Sequence, residues 1–78
     1  MTVSAYVLIQ TEVGKAASVT EAIAHVEGVT IADTVTGPYD AIIRVDGESM
    51  DAVAKTVVSK IQMVEGITRT LTCEVVHI

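Results

Sequence analysis

Aromatic residues are almost missing from this chain: there is no Phe, no Trp and only Tyr6 and Tyr39, although half of the 78 residues are hydrophobic. The core must therefore be aliphatic. A chain this short buries only about 60–65% of the surface that its unfolded form exposes, so burial against another subunit is expected. Basic residues are scarce as well, five against ten acidic ones, for a net charge of −5. Phosphate neutralisation needs a basic stripe, so direct nucleic-acid binding is disfavoured. Cysteine occurs once, at Cys73, which excludes an intrachain disulfide and a cysteine-based zinc site and suits a reducing compartment. The apolar run near the start, Tyr6 to Ile9, follows no basic residue and is too short for a signal peptide or a membrane span. The expected location is cytoplasmic, with no membrane partner.

Groups able to carry catalysis are equally few. His25 and His77 are the only histidines, and no HxxxH, HxxE or CxxC spacing exists. A helix-terminal or solvated role suits each histidine better than chemistry. The five glycines stand isolated and form no phosphate loop, and the dispersed acidic residues form no calcium loop. No catalytic residue, metal site or cofactor is assigned.

What is present is a repeat. Ile23-Ala-His-Val-Glu-Gly-Val-Thr30 matches Ile61-Gln-Met-Val-Glu-Gly-Ile-Thr68, six of the eight places being identical or exchanging Val for Ile. Upstream, Ala5 to Ile9 resembles Ala41 to Val45. Val3 to Gln10 alternates, with Val3, Ala5, Val7 and Ile9 on one wholly apolar face, which predicts a strand. From Lys15, apolar Ala16, Val19, Ile23 and Val26 recur at helical steps, with Gly14 suited to the N-cap and Gly28 to a left-handed C-terminal position. Val29 to Val35 alternates again as a second strand.

Gly37-Pro38 breaks the chain, and Asp40 to Asp46 predicts a third strand. Ser49 is a good N-cap for a helix carrying Met50, Val53, Ala54, Val57, Val58, Ile61 and Val64, ended by Gly66. Ile67 to Val76 predicts a last strand, with Ile67, Leu71, Cys73 and Val75 toward the core and Thr68, Thr70 and Thr72 opposite. On that face Cys73 is an inert small hydrophobe.

This βαββαβ order packs most simply as one α+β domain over residues 1–78, a ferredoxin-like plait whose four-stranded antiparallel sheet carries both helices on one face. The other face is left uncovered. Tyr6, Leu8, Ile42 and Val76 fall there among Ser4, Gln10 and the threonines, and together predict a homodimer through the sheet, a dimeric α/β sandwich.

Two features go beyond what the fold requires. In Thr36-Gly37-Pro38-Tyr39-Asp40 the turn explains Gly37 and Pro38 but not Tyr39 with Asp40; Asp40 either caps nearby amides or offers a carboxylate to a cation. The threonine row of the last strand reflects either β-propensity on a half-exposed sheet or hydroxyls lining a small polar pocket.

With its βαββαβ order, the Thr36–Asp40 turn and the Glu65-Gly-Ile-Thr-Arg-Thr-Leu-Thr72 segment, the chain resembles the effector domain of the Lrp/AsnC transcriptional regulators, the regulation-of-amino-acid-metabolism (RAM) domain. The resemblance spans essentially the whole chain, through a G-x-Y-D-like turn and a G-V-x-x-T-x-T-like strand. Usual members carry an N-terminal helix-turn-helix domain. With its first strand already at Val3, this chain looks like a stand-alone effector domain, and its acidity agrees with that.

The resemblance implies homodimers through the sheet, rings of dimers of octamer type, a free amino acid as effector, and full-length Lrp/AsnC regulators as possible partners. Carried over, Asp40 pairs with the α-ammonium of the ligand. Backbone amides around Gly37, Pro38 and Tyr39 and the hydroxyls of Thr70 and Thr72 hold its carboxylate, and Tyr39 walls the pocket or packs across an interface. The main expectation is thus a non-catalytic amino-acid-binding and oligomerisation module that modulates transcription. The alternatives are a small dimeric ferredoxin-like enzyme of monooxygenase or isomerase type, and a purely structural oligomerisation module.

Overall fold

The computed structural model describes residues 2–78. The order is β1 (Val3–Thr11), α1 (Ala16–Ala24), β2 (Val29–Thr34), β3 (Ala41–Gly47), α2 (Met50–Thr56) continued by a π-helical turn (Val57–Ile61), and β4 (Ile67–Glu74). The strands form one antiparallel sheet in the spatial order β2-β3-β1-β4. This is the expected ferredoxin-like plait.

Alternation dictates the core. Ala5, Val7 and Ile9 of β1 and Ala41, Ile43 and Val45 of β3 share one face and are fully buried. Against them pack Val19 and Ile23 from α1, Val53 from α2, and Val57 and Ile61 from the π-helical turn. Both helices therefore lie on one face, and the molecule is only 17 Å across its thinnest dimension, as two layers require.

Several boundaries differ from the sequence expectation, each for a local reason. α1 ends at Ala24 with His25 as its C-cap, so Val26 lies beyond it in a turn whose amide still bonds to Ile23. The N-cap of α1 is Lys15 and not Gly14, whose φ of +80° places it in the preceding turn instead. Ser49 caps α2 as expected, its Oγ accepting from the Ala52 amide at 3.1 Å. The second helix stops at Ile61, after a widened turn closed by the bond from the Gln62 amide to the Val57 carbonyl, 2.8 Å. β3 begins at Ala41, one residue after Asp40, and β4 ends at Glu74, leaving Val76 outside the sheet and exposed.

Ile67 packs against the core as expected, but beyond the register shift the faces of β4 are the reverse of those expected. Thr72 pairs with Val7 and Thr70 with Ile9, which puts these hydroxyls on the helix side, while Leu71 pairs with Leu8 and Cys73 with Tyr6 on the open side. Cys73 is accordingly exposed and not a core residue. β4 is an edge strand, and the helices pack chiefly on β1, β2 and β3. Its helix side is thus incompletely covered and accepts polar residues, as the Gln62 Nε2 donation to Thr70 Oγ1 at 2.8 Å illustrates. Thr68 is the extra residue where the β1–β4 register shifts, Gln10 facing Arg69 and Thr11 facing Ile67.

Gly66 is the most constrained of the glycines. Its φ is +102°, and a Cβ there would stand 3.0 Å from Lys15 Cβ and 3.1 Å from Val19 Cγ2. Gly66→Ala should lower unfolding stability by about 2–3 kcal/mol, combining backbone strain with overpacking. Gly37→Ala, at φ +135° with nothing within 4 Å of the added carbon, should cost only the backbone part, about 1–2 kcal/mol. Equal midpoint changes for both variants in urea denaturation would contradict the steric account.

Candidate functional site

The turn between β2 and β3 is pinned from three sides. The Val35 amide donates to the Asp40 carbonyl at 2.9 Å, and the Asp40 amide donates to the Ile9 carbonyl at 2.8 Å. Gln10 Nε2 donates to the Pro38 carbonyl at 3.0 Å. Just before the turn, Thr34 Oγ1 donates to Thr20 Oγ1 at 2.9 Å, tying the end of β2 to α1. The turn is thereby a fixed feature at one end of the sheet.

The Asp40 side chain does cap, although not within its own turn: its Oδ2 accepts from the Thr11 amide at 2.8 Å, where β1 ends and β4 shifts register. That bond holds the half-buried carboxylate in one orientation. Tyr39 is half-buried beside it, while Gly37 and Pro38 are exposed. Gly37, Pro38, Tyr39 and Asp40 are therefore brought together as expected.

Thr70 and Thr72 are not brought to them within the one chain. Ala41, next to Asp40, pairs with Ile9, and Ile9 pairs in turn with Thr70. β1 thus lies between the two segments, and two strand spacings separate their backbones by about 10 Å. Thr70 instead lines a shallow depression of about 200 Å³ with Gln62, Ile67, Thr68 and Arg69.

The open face carries Tyr6, Leu8 and Ile42, as the sequence predicted, and three apolar residues that it did not. Leu71 and Cys73 join through the reversed facing of β4, and Ile31 joins through its pairing with Arg44. Tyr6, Ile31 and Leu71 are each about 40% exposed, at 37%, 43% and 41%, Tyr6 on the central strand β1 and the other two on the edge strands β2 and β4. In their midst stands an organised cation. Arg44 donates to the Tyr6 hydroxyl at 3.0 Å and to Ser4 Oγ at 3.2 Å, with its guanidinium carbon 5.4 Å from the Tyr6 ring centre.

Hydrogen bonding to Tyr6, followed by its charge interaction and then by the attraction of Asp46, raises the pKa of Arg44 above its ordinary value, so this side chain stays charged. Asp46 Oδ1 lies 3.5 Å from Arg44 Nε, close enough for attraction but not aligned as a hydrogen bond; among the described residues this buried oxygen has no hydrogen-bond partner. A lone arginine in an alternating strand gives no sequence signal of such a cluster. The partners come from β1, and only strand pairing reveals them.

Among the described residues no three His, Cys, Asp or Glu side chains approach as a metal site would need, and no helix is long and apolar enough to cross a membrane.

Comparison with known proteins adds a family. The family model described as the Lrp/AsnC ligand binding domain matches residues 4–77. No curated protein matches the chain. Among solved structures, a protein of Thermus thermophilus is 30% identical with a TM-score of 0.90, the match covering 97% of this chain and 95% of that one. AsnC of E. coli is 28% identical with a TM-score of 0.88 over 96% of this chain and 51% of that one, so this chain spans about half the length of AsnC. A transcriptional regulator of Neisseria meningitidis in complex with L-Met shares the fold at 16% identity, with a TM-score of 0.79 over 96% of this chain and 50% of that one.

Proposed function

This chain belongs to the Lrp/AsnC ligand-binding domain family, and from that premise we propose that it is a non-catalytic amino-acid-binding and oligomerisation module that modulates transcription of amino-acid metabolism through effector-dependent assembly. The family match over residues 4–77 carries the reading. The site chemistry supports it. A zwitterion needs one anion and several donors close together, and Asp40 is an anion whose direction is already set by the Thr11 amide. The Neisseria regulator of the same fold, crystallised with L-Met, supports an amino acid as the class of effector.

The spacing across β1 adds a condition. In a single subunit Asp40 and the Thr70–Thr72 pair stand on either side of β1, their backbones about 10 Å apart, with Asp40 outside the depression that Thr70 lines. In this proposal a neighbouring subunit supplies the threonine hydroxyls, and Gly37, Pro38, Tyr39 and Asp40 supply the other half. Assembly is then part of the site: homodimers form through Tyr6, Leu8 and Ile42, dimers join as a ring of octamer type, and full-length regulators of the family are further partners.

Thermal-shift screening against the twenty amino acids tests the reading. A ligand at about 100 times its Kd stabilises the folded state by about 2.7 kcal/mol, which for a domain of this size raises Tm by about 10 °C or more. Asp40→Asn keeps an oxygen for the Thr11 amide and removes only the charge. It should weaken amino-acid binding about 10- to 100-fold with little change in the stability of the free protein. Unchanged affinity by calorimetry would remove Asp40 from the site, and no shift with any amino acid would leave a structural module as the better description.

A further inference from the structure

A cleft of about 640 Å³ lies away from this site. It lies between the C-terminal end of α1 and the second helix, lined by His25, Gly28, Lys55, Thr56, Ser59 and Lys60. β3 separates it from the Gly37–Asp40 turn: the Asp46 amide donates to the Gly28 carbonyl at 2.8 Å at one end of that strand, and Asp40 precedes the other end. Seven residues of strand place the two sites about 20 Å apart.

One wall of this cleft is a single stripe of the second helix. Lys55 with Ser59 and Thr56 with Lys60 are pairs four residues apart, neighbours on one side of a helix, and all four line the cleft. Ser59 and Lys60 lie in the π-helical turn closed by the Gln62 to Val57 bond, directly after the α-helical stretch that carries Lys55 and Thr56. Ser59 Oγ donates to the Lys55 carbonyl at 2.6 Å, supporting the backbone where the ladder changes. Two of only five basic residues in an acidic chain thus line one cleft together with His25. Of the acidic residues on the rim, Asp46 has its carboxylate beside Arg44, which leaves Glu27 as the opposing charge.

We propose that this interhelical cleft binds a small phosphate-bearing ligand, held by the Lys55 and Lys60 ammonium groups together with His25. Two ammonium point charges suit a tetrahedral dianion; a planar carboxylate is better matched by the arginine fork, which the cleft lacks. Its volume falls in the range of small-molecule sites.

Titration of the ¹⁵N-labelled protein with inorganic phosphate, against sodium chloride at matched ionic strength, tests this. Saturable amide shifts confined to residues 25–28 and 55–61, with a Kd of about millimolar for so small a probe, are expected. Lys55→Gln with Lys60→Gln should weaken binding at least tenfold; both side chains are exposed, so the remaining resonances should keep their positions. Shifts that are linear, that chloride reproduces, or that survive the double substitution would overturn the proposal. Asp40→Asn should leave the phosphate titration unchanged, so the amino-acid reading and this one can fail separately.

Discussion

Leu8→Asp should convert the proposed dimer into an 8.2 kDa monomer at micromolar concentration, read by size exclusion with light scattering. Leu8 sits at the centre of the open face between Ile42 and Leu71. Its loss removes about 2 kcal/mol of apolar burial in each subunit, and the new carboxylate has no cation directly opposite within its own sheet. In a two-fold interface the same change occurs twice, with like charges brought toward each other. The association constant should fall by about three orders of magnitude or more, each tenfold step being about 1.4 kcal/mol. A wild-type protein that is itself monomeric at these concentrations would refute the interface.

Arg44 gives that interface its selectivity in this account. A guanidinium already bonded to Tyr6 and Ser4 and lying beside Asp46 enters a contact with part of its polar demand met. A partner surface must satisfy the rest, because a buried charge left without partners is costly.

Ile43→Ala should lower stability by about 2–5 kcal/mol, through lost transfer energy and an unfilled cavity. Ile43 is fully buried, pairs with Val7 and Ala32, and belongs to a core without a single aromatic side chain. For a chain of this length the whole stability is about 4–12 kcal/mol. The substitution therefore removes about a sixth of it at the least and should reduce Tm by about 10–30 °C. Val58→Ala, on the exposed side of the π-helical turn, should stay within about 0.5 kcal/mol of wild type. If dimerisation supplies the missing burial, both Tm values will rise with protein concentration.

Local periodicity determined most of the fold by itself. The repeated strand, helix and strand, the buried faces of β1 and β3, the Ser49 cap and the apolar open side with Tyr6, Leu8 and Ile42 all follow from residue spacing, because each depends on neighbours within a few positions. The Gly37–Asp40 turn was legible too, since Gly-Pro followed by Asp is a local conformational signal.

Only the tertiary structure decided the facing of β4, the distance between Asp40 and Thr70, the Arg44 cluster and the lysine-lined cleft. Alternation says that Thr70 and Leu71 oppose each other, but pairing with Val7, Leu8 and Ile9 says which one meets the helices. An edge strand reached by little of the helical layer reverses the usual rule that apolar residues face it. Lys55 and Lys60 come to one cleft with His25 because the end of α1 meets the second helix there, a contact between distant segments that spacing in the chain does not announce.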